Sequence, residues 1–103
     1  MKKSLTKEEI INKIEKNKDK IRSFGVEKLT LFGSYARDEA TSKSDIDFLV
    51  EFRKERGGFD DYVKLLHFLE DLFKLKIVLG EKKLLKENIK ESVLETKRIE
   101  MII

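Results

Sequence analysis

The chain has no cysteine, no proline and no tryptophan, and only five glycines in 103 residues. Without cysteine there can be no disulfide framework and no thiolate metal site. No apolar run approaches the ~20 residues of a membrane-spanning helix, and the start, MKKSLTKEEI, has no apolar core of signal-peptide length. These features predict a cytoplasmic protein that does not engage a membrane. Charge of one sign is scarce too. Lysine and arginine number 23 against 20 acids, for a net charge of +3. A protein that coats nucleic acid would be more one-sided, so direct nucleic-acid binding is not expected. What the chain does have is charge of both signs, 42% of residues, beside a 40% apolar fraction that suffices for a modest core. The length predicts one domain, residues 1–103.

The periodicity predicts a small sheet covered by helices, in the order α-β-α-β-α-β-α. Thr6 and Glu9 have capping-box spacing. The helix they open carries Ile10, Ile14, Ile21 and Phe24 on one stripe, interrupted by Asn17, and stops at Gly25. Strands follow at Glu27–Phe32 and Asp45–Phe52. In the second, Ile46, Phe48, Val50 and Phe52 share one face while Asp45, Asp47, Leu49 and Glu51 share the other. A short helix is expected around Tyr35–Glu39. The charged run Arg53–Gly58 reads as a mobile loop. Phe59–Lys74 is the clearest helix, with Tyr62, Leu65, Leu66, Leu69, Leu72 and Phe73 in its stripe and His67 off it. A third strand is expected at Leu75–Leu79, ended by Gly80. The remainder, Glu81–Ile103, reads as mostly helical with a last strand near Lys97–Ile102.

The stretch LFGSYARDEATSKSDIDFLVEF, Leu31 to Phe52, carries the chemistry. Two aspartates at i and i+2 of a strand point to one face with Cα atoms roughly 7 Å apart. That suits a hard cation such as Mg²⁺, which takes carboxylate oxygens together with substrate phosphates. Gly33 permits close backbone approach. A helix opening after Ser34 would offer free N–H groups to phosphate. Alone, Gly-Ser is more often an ordinary turn, and Ser44-Asp45 an ordinary strand entry. Asp47, set among apolar β-formers, is harder to explain by structure. Arg37 could meet a phosphate or pair with Asp38 or Glu39. Tyr35 and Tyr62 read as packing residues. Lys82, Lys83, Lys86 and Lys90 read as the solvated face of a helix.

Gly33-Ser34, ten residues and then Asp45-Ile46-Asp47 resembles the signature of the minimal nucleotidyltransferases, relatives of the polymerase β palm. GSYAR, Gly33 to Arg37, is similar to the start of that motif. The resemblance implies an α+β fold, a small mixed β-sheet flanked by helices like the polymerase β palm. It further implies ATP as substrate, Mg²⁺ as cofactor held by Asp45 and Asp47 as catalytic metal ligands, and Gly33, Ser34 and Arg37 at the nucleotide. Members of this size resemble MntA-type antitoxins, which transfer AMP to a tyrosine of a HEPN-type toxin, and a homo-oligomer is possible within that group. The chain departs from the pattern twice. Asp38 stands where glycine is frequent. The strand expected to carry a third carboxylate reads Lys76-Ile77-Val78-Leu79, with Val78 best placed in the acidic slot. That departure motivates an alternative: a weakened homologue that binds nucleotide and neutralises its partner by complex formation alone.

Overall fold

The computed structural model describes residues 5–82 and 97–103. Two helices come first, α1 (Lys7–Lys16) and α2 (Lys18–Arg22). Thr6 and Glu9 form the expected capping box, each side chain accepting the other's backbone N–H at 3.1 Å. The single helix expected to reach Phe24 is broken at Asn17, whose backbone leaves helical geometry at φ −112° and ψ 18°. Its side-chain amide donates to the Lys13 carbonyl at 2.8 Å. Asparagine competes with the helix for its own carbonyls, and here it ends one.

Four strands form one mixed sheet: β1 (Val26–Phe32), β2 (Ile46–Phe52), β3 (Ile77–Glu81) and β4 (Ile99–Ile102), in the spatial order β3-β2-β1-β4. β1 is antiparallel to both β2 and β4, and β2 is parallel to β3. The parallel step is bridged by α3 (Phe59–Phe73), as parallel neighbours require a crossover. The sheet and helices match the expected α+β class. Several boundaries do not. β3 starts and ends two residues later than expected, and Gly80 lies inside it, opposite Leu49. A Cβ on Gly80 would approach Leu49 Cδ2 at 3.2 Å, so the glycine serves a close cross-strand contact rather than a stop. Glu81 therefore belongs to a strand, not to a helix, and the helix expected over 83–96 lies outside the described residues.

The apolar stripes pack on one face of the sheet. Ile10, Ile14 and Ile21 from the first two helices, and Leu65, Leu69 and Phe73 from α3, close over Leu29, Leu31, Phe48, Val50 and Leu79. His67 is exposed, as its place off the stripe predicts. The opposite face carries the alternate residues: Lys28 and Thr30 of β1, Asp47, Leu49 and Glu51 of β2, Val78 and Gly80 of β3, and Glu100 of β4. At one end of that face Lys28 Nζ lies 3.3 Å from Glu51 and 3.4 Å from Glu100, while Lys82 reaches Glu51 at 3.6 Å. Asp47 lies at the other end.

The Arg53–Gly58 loop is tied down rather than mobile. Arg56 makes two 2.9 Å bonds to the Asp61 carboxylate and a third bond, 3.1 Å, to the Ser23 carbonyl. Asp61 also accepts the Gly57 N–H. These donors hold its carboxyl well below the usual range, at about 2, the Arg56 bonds being the larger cause. Among the described residues no helix is long and apolar enough to cross a membrane.

Candidate active site

The end of β1 and the start of β2 meet because the two strands are antiparallel, with Phe32 paired to Asp47. Gly33 follows Phe32 at φ +77°, a conformation L side chains rarely adopt. The conformation is needed for a second reason. A Cβ at Gly33 would collide with Asp47 Oδ2 and stand 3.0 Å from its Cγ. The Asp47 carboxylate rests where any other residue would put its side chain. Glycine and aspartate, fourteen positions apart, are thus one steric unit.

Beyond Gly33 the chain does not form the expected helix. It makes a single turn: the Arg37 N–H donates to the Gly33 carbonyl at 3.2 Å, Asp38 to Tyr35 at 3.4 Å and Glu39 to Ser34 at 2.9 Å. Asp38 takes the left-handed conformation, φ 60°. This is the closure of a Schellman motif, a position that favours glycine and tolerates aspartate. Tyr35 and Ala36 are buried and anchor the turn in the core. With one turn there is no helix dipole to invoke, and any anion-binding capacity must come from local N–H groups, the Ser34 hydroxyl and Arg37. Arg37 extends to Glu39 on the same turn, at 2.7 Å, and its charge also reaches Asp47.

Asp45 stands one residue before β2, where the Ile46 N–H is held by the Lys76 carbonyl at 3.1 Å. Asp47 is half-buried in β2. Burial, first, and then the neighbouring Asp45 charge hold the Asp47 carboxyl above the ordinary carboxylate range, against an opposing pull from Arg37. The Asp45 charge, after burial, likewise raises the Tyr35 phenol. Among the described residues neither aspartate has a hydrogen-bond or ion-pair partner. Two carboxylates that repel each other in this way fit a hard divalent metal, which would relieve their repulsion. No cluster of three metal-ligating acids or histidines occurs among the described residues, so the remaining coordination would fall to water and to substrate oxygens.

The parallel register decides which residue is the third neighbour. Asp47 is paired with Val78, on the same face. Val78 is 42% exposed. The acids that might replace it point elsewhere. Glu81 pairs with Val50 and shares the helix-covered face. Asp61 is engaged by Arg56, and Glu51 by Lys28 and Lys82. Sequence reasoning did not foresee one feature of the turn: Lys7 Nζ meets Asp38 Oδ2 at 2.8 Å. The only signal was the unusual aspartate itself, in a position where glycine would have been simpler.

The nucleotidyltransferase domain family model matches residues 7–100. The protein adenylyltransferase MntA of Thermococcus cleftensis is 40% identical over 91 residues, covering 87% of this chain and 91% of that protein. A solved candidate minimal nucleotidyltransferase superposes with a TM-score of 0.77 at 27% identity, over 92% of this chain and 96% of that one. A chain from the crystal structure of a toxin–antitoxin complex with AMP-PNP shares the fold, with a TM-score of 0.64 at 22% identity, over 82% of this chain and 67% of that one.

Proposed function

The chain belongs to the nucleotidyltransferase domain family, and from that premise we propose that it transfers AMP from ATP to a hydroxyl of a partner protein and so acts as an antitoxin. The partner is a HEPN-type toxin and the acceptor a tyrosine hydroxyl. The observation that carries the reading is the steric unit of Gly33 and Asp47, which sets the Gly33–Ser34 turn directly against the Asp47 carboxylate. The name of the Thermococcus relative and the AMP-PNP complex of the structural neighbour support it.

Asp45 and Asp47 would hold Mg²⁺, which when bound supplies charge neutralisation for the triphosphate and the leaving pyrophosphate. The chain's own contribution is positioning, the larger part of phosphoryl-type catalysis. β2 and the residue that leads into it keep the two carboxylates two positions apart. The Gly33–Ser34 backbone and the Ser34 hydroxyl face the phosphates. Arg37, held on the same turn, adds a cation beside Asp47. The buried Tyr35 and Ala36 stop the turn from shifting under load.

The test is direct. The protein is incubated with α-labelled ATP, Mg²⁺ and the HEPN-type protein encoded beside it. Label should pass to the partner, and Asp45→Asn or Asp47→Asn should each abolish transfer with the fold intact. No transfer by a folded protein with its partner sinks the catalytic reading. Val78 beside Asp47 favours a second reading, in which nucleotide is bound and the partner is silenced by complex formation alone. It requires protection that survives Asp47→Asn.

A further inference from the structure

We propose that Lys7 and Asp38 are positioning residues for the nucleotide: their ion pair straps the Gly33–Glu39 turn to the start of α1 and holds Ser34 and Arg37 in register with Asp47. The assignment rests on the nucleotidyl-transfer reading above.

The turn is a closed mechanical unit. Its last member, Glu39, donates its N–H to the carbonyl of Ser34, and Arg37 donates to Gly33. A displacement at Asp38 is therefore passed through two backbone bonds to the residues that face the nucleotide. Asp38 carries the side chain of the turn that forms an ion pair with α1. Its left-handed backbone, φ 60°, turns the carboxylate toward Lys7, 31 residues earlier in the chain. Glycine would satisfy that backbone at less cost, so what aspartate adds is the carboxylate.

Lys7 is a firm post. It is the first residue of α1, which is fixed by its capping box and by Ile10 and Ile14 in the core. With the pair formed, the Lys7 side chain is only 21% exposed. The strap also spans a gap. A cavity of about 210 Å³ lies between the two elements, lined by Leu5, Thr6, Tyr35 and Ala40 as well as by the pair itself. The hydrogen bond between them is the main reason that Lys7 is raised and Asp38 lowered from their ordinary pKa values.

The experiment measures MgATP affinity by calorimetry and amide exchange of residues 33–39, in wild type, Lys7→Met, Lys7→Arg and Asp38→Gly. Lys7→Met and Asp38→Gly should each weaken MgATP binding about threefold to fivefold, the range a partly exposed ion pair can supply. Both should quicken exchange in the turn. Lys7→Arg should restore both values. Asp38→Gly is the discriminating variant, because it keeps the left-handed backbone and should melt close to wild type while binding nucleotide less well. Wild-type affinity or unchanged exchange in Lys7→Met and Asp38→Gly overturns the strap and leaves the transferase reading standing. A wild type that binds no MgATP overturns the transferase reading and the strap with it.

Discussion

Replacing Gly33 with alanine would put a methyl group where the Asp47 carboxylate now sits. Two costs follow, and they can be separated. The first belongs to the backbone. At φ +77° an L residue is strained by roughly 1–2 kcal/mol. The second belongs to the contact. The new Cβ would overlap Oδ2 and press on Cγ, forcing Asp47 off its rotamer for about 0.5–1.5 kcal/mol more. Together these predict a loss of about 1.5–3.5 kcal/mol, or a fall in Tm on the order of 10 °C for a domain of this size. Asp47→Ala removes the colliding carboxylate and leaves only its Cβ, 3.2 Å from the new methyl. In that background Gly33→Ala should cost the backbone part and little of the contact part, so the double-mutant cycle should show a coupling of about 0.5–1.5 kcal/mol. Urea unfolding of the four proteins, followed by circular dichroism, gives the numbers. Additivity to within about 0.3 kcal/mol would refute the claim that Gly33 and Asp47 form one steric unit. The functional corollary is that Gly33→Ala displaces Asp47, the proposed metal ligand, so transfer should fall far more than stability does.

Val78→Asp should place a third carboxylate beside Asp47 in register and tighten divalent-cation binding severalfold, read as a larger Mg²⁺-induced rise in Tm. An unchanged rise would mean that position 78 does not reach the pair. Asp61 titrates at about 2 against an ordinary 3.8, so its stabilisation is fully present above pH 4 and is lost as pH falls toward 2. Asp61→Asn should therefore cost about 1 kcal/mol at pH 7, after allowance for solvent screening, and almost nothing at pH 2. Urea titrations at the two pH values check this, and an equal loss at both would deny the Arg56–Asp61 clamp. Lys28→Met leaves Glu51 and Glu100 without their shared cation. It should destabilise by about 0.5–1 kcal/mol at low salt and by less in 1 M NaCl.

Local signals carried most of the fold. The alternation of Ile46, Phe48 and Val50 against Asp47 and Leu49 follows from strand geometry, and the stripe of α3 from helical period. Errors arose where a non-local partner outweighed the local signal. Gly80 looks like a stop in the sequence, but its missing side chain admits Leu49 from the neighbouring strand. Arg53–Gly58 looks loose because it is charged, but a carboxylate three residues beyond it collects its donors. Tyr35–Glu39 has helix-forming residues, yet burial of Tyr35 and Ala36 and the left-handed Asp38 close it after one turn.

The candidate site divides along the same line. Gly33, Ser34, Asp45 and Asp47 are legible because their spacing is fixed by two adjacent antiparallel strands and one connection. The Lys7–Asp38 pair is not, since 23 basic and 20 acidic side chains allow far too many pairings for sequence to choose among them. Val78 lies between these cases. Its sequence offset predicts the acidic slot, but only the parallel register with β2 puts it on the Asp47 face, and the same register turns Glu81 to the other side. A shift of one residue in that pairing would bring Ile77 or Leu79 opposite Asp47 and carry Glu81 only to the level of Leu49 or Glu51, so the pair would still gain no acid. In the observed register, position 78 therefore sets what stands beside the pair. That register is held by Ile77 and Leu79 in the core, and by the Tyr62 hydroxyl donating to the Leu79 carbonyl.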